Sequence, residues 1–107
     1  MKSKKLERVD GFMIKVKAKI KLYKTSIGRK TAFISGYRPL FNFISEMKTS
    51  GQITLQDRQE FFPGEEALVE ITFLSGDYLG NNFSVGTRFT FGEGKEVLGE
   101  GEIQELI

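Results

Sequence analysis

The chain predicts an all-β fold: a single six-stranded antiparallel closed β-barrel. Three observations carry the prediction. Apolar and polar residues alternate with period two along most of the chain, and glycine and proline clusters interrupt that alternation at short intervals. No stretch carries the apolar stripe of a helix. Strands so spaced close into a barrel or stack as a sandwich. Gly99 and Gly101, two apart on one face of the last strand, favour the barrel, because such glycines let a strand bend or another backbone approach.

The 107 residues correspond to one domain, without linker or internal repeat. Residues 1–11 are polar, end in Asp10-Gly11, and read as a leader; residues 12–107 form the barrel. Residues 12–24 give the clearest strand, with Ile14, Val16, Ala18, Ile20 and Leu22 facing inward and Lys15, Lys17, Lys19, Lys21 and Tyr23 outward. The lysine row has two readings: a solvated face that discourages edge pairing, or a phosphate-contacting ridge with side chains roughly 7 Å apart. Thr25 to Gly36 is a loop. Strands follow over residues 40–46 and 49–56, the second with Ile53 and Leu55 on one face and Gln52 and Thr54 on the other.

Asp57 to Gly64 is a polar connection closed by Phe62-Pro63-Gly64. Residues 67–74 alternate again, with Ala67, Val69, Ile71 and Phe73 inward. Ser75 to Ser84 is an irregular loop. Residues 85–91 form a strand with Val85, Phe89 and Phe91 on its apolar side, Gly92-Glu93-Gly94-Lys95 a hairpin whose glycines supply positive φ, and residues 96–107 the return strand. Phe12, Phe41, Phe43, Phe73, Phe89 and Phe91 are the expected aromatic core.

Composition excludes much chemistry. The chain has no histidine and no cysteine, so disulfides, zinc sites of the usual kind, thiol nucleophiles and histidine acid–base catalysis are all ruled out. Glu65 and Glu66 are adjacent and would point to opposite faces of an extended segment. Gly92-Glu93-Gly94-Lys95 lacks the spacing of a phosphate loop. No enzymatic activity, nucleotide, metal or cofactor is expected. The net charge is only +2, with basic residues concentrated in positions 1–30 and acidic ones later. No apolar run is long enough to span a membrane, and no apolar stretch follows the basic start as in a signal peptide. A cytoplasmic location is the expectation.

One octet stands out: Gly36-Tyr37-Arg38-Pro39-Leu40-Phe41-Asn42-Phe43. Arg38, before the proline, is pushed toward extended backbone, so the chain should leave this turn as a strand. With Gly28-Arg29-Lys30-Thr31, Pro63-Gly64-Glu65, Arg88-Phe89, Glu93-Gly94 and Val97-Leu98-Gly99-Glu100-Gly101, the octet resembles the third domain of elongation factor Tu over residues 17–105. That resemblance implies a six-stranded antiparallel barrel. It also implies contacts to the T-stem of tRNA at Leu40, at Ser50 with Gly51 following, and at Glu93-Gly94, with Arg29 and Lys30 as a basic pair close to the RNA. Leu40 stands where the family has glutamine and cannot make its hydrogen bond. Ser50 stands where it has threonine, and the segment from Ile44 to Gly51 is one residue longer.

Two functions are therefore expected of a binding module without catalysis. One is protein–protein recognition, as a mimic or competitor of the translation factor's third domain or as partner of a separate GTPase. The other is recognition of a tRNA or another structured RNA through its phosphates. Tyr37 and Arg38 belong to either surface, or with Pro39 they lock the loop onto the barrel, Arg38 bonding backbone carbonyls or a carboxylate.

Overall fold

The alternation at residues 14–22 folds as predicted: Val16, Ala18, Ile20 and Leu22 are fully buried, while Lys15, Lys19 and Lys21 face solvent. In this computed structural model, residues 13–24, 31–44 and 47–107 are described, and the expectations for residues 1–11, Phe12, Arg29 and Lys30 lie outside them. Six strands form: β1 (Ile14–Leu22), β2 (Leu40–Ile44), β3 (Met47–Leu55), β4 (Glu66–Phe73), β5 (Arg88–Glu93) and β6 (Glu96–Leu106). They close a barrel in the order β1-β4-β3-β2-β5-β6, every neighbouring pair antiparallel. No helix occurs among the described residues, and so none long and apolar enough to cross a membrane.

Closure changes the meaning of the lysine row. β1 is paired on both sides, so its lysines protect no open edge. Register places Lys17 between Glu70 and Glu105, Lys19 beside Glu102, and Lys21 between Glu66 and Glu100. Opposite charges on directly facing residues support a sheet. The outer face of β1 thus carries alternating sign from strand to strand.

The interior is filled by rings laid over glycines. Phe73 faces Gly51, Phe91 faces Gly99, and Phe89 faces Gly101 as direct cross-strand partners. A Cβ on Gly101 would stand 2.5 Å from Phe89 Cζ and 2.8 Å from Ile20 Cγ2. Gly99 and Gly101 therefore make room for phenylalanine rings in a narrow barrel. Phe41, Phe73, Phe89 and Phe91 are buried as expected, and Phe43 is half-buried, its ring 5.2 Å from that of Phe83.

Three expectations need correction. Val85 is not a core residue: it is 61% exposed and precedes β5. Val85 and Gly86 are the central pair of a turn closed by the Thr87 N–H donating to Ser84 O at 3.0 Å. Gly86 has φ +96°, the sign a type II turn needs at that place and one a strand cannot carry. The connection over residues 57–64 is less polar than it reads. Phe61 within it is fully buried, pairs through its backbone with Phe33, and stacks on that ring at 5.1 Å. Leu79, in the loop after β4, is also buried. In the hairpin, finally, Gly94 has positive φ while Gly92 has not.

Past the end of β1, the Tyr23 hydroxyl donates to Glu100 Oε1 at 2.8 Å. Burial, then this bond and the carboxylate charge, hold the phenol above its ordinary value of 10.0. Its stabilising contribution is present below the unfolded value and is lost as pH rises through the folded one. Ultraviolet titration of the folded protein should show a late phenolate step that Tyr23→Phe removes. A titration unchanged by that substitution would contradict the assignment.

Candidate functional site

Arg38-Pro39 extends the chain into β2, and the pairing starts before the strand does. The Ile53 N–H donates to Tyr37 O at 2.9 Å, so Tyr37 already faces Ile53 in the register that sets Leu40 opposite Ser50. Pro39, which has no N–H to offer, is buried. On the other side of β2, Leu40 faces Gly92, and Gly92 faces Val97 across a register shift in β5–β6. The outer row therefore runs Ser50, Leu40, Gly92, Val97.

The β5–β6 hairpin folds over the end of that row. Gly94 and Lys95 are its turn, with Gly94 at φ +60°, the sign a type II′ turn requires at its first central residue. Two side-chain bonds tie this hairpin to distant segments. The Tyr37 hydroxyl donates to Glu93 Oε2 at 2.6 Å, and Lys48 Nζ donates to Gly94 O at 2.9 Å. Tyr37, Arg38, Leu40, Ser50, Glu93 and Gly94 are thus brought to one side of the barrel by chain segments far apart in sequence.

Tyr37 is anchored from beneath. Its ring stacks on Phe33 at 4.4 Å and Phe33 stacks on Phe61 at 5.1 Å, and the Arg58 guanidinium caps the stack 5.4 Å from the Phe61 centroid. Asp57 and Glu65 hold Arg58, each at 3.0 Å, and the Asp57 bond is the main reason its pKa lies above the ordinary arginine value. A column from the 57–65 connection thereby fixes the phenol that meets Glu93. This matches the reading in which Tyr37 locks the loop. Arg38 differs from expectation: its Nε donates to the side-chain amide oxygen of Gln52 at 3.2 Å, neither to a carboxylate nor to a backbone carbonyl. Arg38 and Gln52 share a row on the outer face, which brings the amide within reach of the guanidinium.

Beside this face lies a groove of about 270 Å³ over β1, β4 and β3, which Arg38 and Ser50 join as lining residues. Its other walls include Lys15, Gln52, Thr72 and Leu74. Lys48 does not stand out in the sequence as a site residue, and Lys15 appears there only as one of four lysines in a row. Both lie on regular alternating strands, and only the pairing of β3 with β2 and of β4 with β1 shows what they stand beside. No protein-family model matches the chain.

Proposed function

We propose that the chain is a non-enzymatic module that recognises another protein through the face centred on Leu40. A protein that grips the third barrel of elongation factor Tu is the partner that the residue resemblance favours. The observation that carries this reading is Leu40 itself. It is 36% exposed, lies between Ser50 and Gly92, and has the 51% exposed Val97 beyond the glycine. Around this apolar centre stand Tyr37, Arg38, Lys48 and Glu93, already positioned by hydrogen bonds. An apolar centre inside a polar rim is the anatomy of a protein interface, and residues held in place before binding lose less entropy on association.

The test is capture from cell lysate on the purified protein at ~50 and ~300 mM salt, with the wild type and Leu40→Gln side by side. A discrete protein should be retained at both salts, its affinity falling about tenfold in Leu40→Gln, the size of loss expected from an interface residue worth more than 1 kcal/mol. Recovery of tRNA that disappears at the higher salt and ignores Leu40→Gln would replace this reading with RNA recognition, because phosphate contacts weaken steeply as salt rises.

A further inference from the structure

We infer that the groove over β1, β4 and β3 binds a small amphiphilic anion, a carboxylate or phosphate carrying a short apolar arm. The argument begins with register. Lys15 faces Thr72, Thr72 faces Gln52, and the Tyr37–Ile53 and Leu40–Ser50 pairs place Arg38 opposite Gln52. One cross-strand row thus reads Lys15, Thr72, Gln52, Arg38. Its ends are cations and its middle is a hydroxyl and an amide.

This row differs from the others on β1. Lys17, Lys19 and Lys21 each face at least one glutamate, whereas Lys15 faces Thr72, and on the β6 side its carbonyl accepts from the Ile107 amide at 3.0 Å. Among the described residues no carboxylate pairs with Lys15 or Arg38; Arg38 is held only through Nε, by a neutral amide. Lys15 and Arg38 both line the groove, with Thr72 and Gln52 between them in the row, so an anion seated there has a cation on either flank and a hydroxyl and an amide beneath it. Glu70, the acidic wall of the groove, sits in the next row, between Lys17 and Thr54.

The neighbouring row supplies the apolar part. Met13 and Leu74 border the groove and are 58% and 61% exposed. A volume of about 270 Å³ is just below the range of drug-sized pockets, which suits a metabolite-sized ligand. Arginine offers a planar fork to carboxylate or phosphate, and lysine adds a point charge. The groove adjoins the Leu40 face, and Arg38 and Ser50 border both.

The test is a nitrogen-15 amide shift titration of the full chain with hexanoate and hexyl phosphate, with acetate, inorganic phosphate and hexylamine alongside. The expected result is saturable shifts at Ser50, Gln52, Thr72 and Leu74 with hexanoate or hexyl phosphate, at least tenfold weaker binding of acetate and inorganic phosphate, and no such shifts with hexylamine. The stronger of the two hexyl probes identifies the headgroup. Lys15→Gln and Leu74→Ser, exposed changes whose amide spectra report directly on folding, should each weaken binding at least fivefold. Shifts centred on Lys17, Lys19 and Lys21, equal binding of hexanoate and acetate, or no saturable shift with either hexyl probe would overturn the inference.

Discussion

Phe41→Ala is expected to destabilise the barrel by about 4 kcal/mol and to lower its melting temperature by roughly 15 °C. Phe41 is fully buried on β2, the shortest strand, with only five residues. Its ring lies 5.2 Å from Phe73, 5.8 Å from Phe89 and 6.0 Å from Phe91, so it touches β4 and β5 across the interior. It also packs over the bare face of Gly51, where a Cβ would stand 2.9 Å from Phe41 Cε1. Truncation removes the transfer energy of a whole ring and leaves a void among the remaining rings, and the two costs add. β2 then loses the one fully buried side chain holding it to the core, and Leu40, the residue before it, is carried by the same short strand. Urea unfolding should show the lower midpoint with an unchanged slope. A loss below about 1 kcal/mol would mean that the four rings do not pack as one unit.

What could be read beforehand follows from which forces are local. Alternation in β1 and β4 reports burial directly, because one face meets the core and the other meets water, and Ile14 to Leu22 shows it without interruption. The turn at Phe62-Pro63-Gly64 is equally local, since proline and glycine restrict or free the backbone wherever they stand. Val85 has the strand spacing of a core residue, but Gly86 beside it takes a conformation no strand allows. Phe61 was hidden among charges; its burial depends on pairing with Phe33, 28 positions away, which no pattern in either segment announces.

The candidate site divides in the same way. Leu40, Ser50 and Glu93-Gly94 stand out through a resemblance of short strings, and the barrel sets them on one side. Nothing local says that Tyr37 meets Glu93 or that Lys48 meets Gly94, because each bond joins residues more than forty positions apart. Lys15 is indistinguishable from Lys17, Lys19 and Lys21 along the chain. Only strand order separates it, by facing it with threonine where the others face carboxylates.

Gly92→Ala is expected to cost about 3 kcal/mol, the upper part of the range for overpacking, and to detach the hairpin from the face it completes. Gly92 pairs with both Leu40 and Val97, and the register of β5–β6 shifts between Phe91 and Gly92. At that bulge the β6 backbone comes so close that a Cβ would overlap Glu96 O and stand 3.0 Å from Val97 Cα. Both are backbone atoms, so no rotamer change relieves the clash, and the strand ends must part. Glu93 and Gly94 come next in the chain, and their bonds to Tyr37 and Lys48 depend on where the hairpin sits. The substitution should therefore do more than lower the urea midpoint. Amide shifts should change at Tyr37 and Lys48, across the face, while Val69 and Ile71 on β4 stay in place. Gly94→Ala, at a turn with nothing near its missing side chain, isolates the effect of backbone conformation and should cost only about 1 kcal/mol. If the two substitutions cost the same, close approach at Gly92 is not what holds the hairpin against β2, and the polar rim around Leu40 would have to be positioned by the Tyr37 and Lys48 bonds alone.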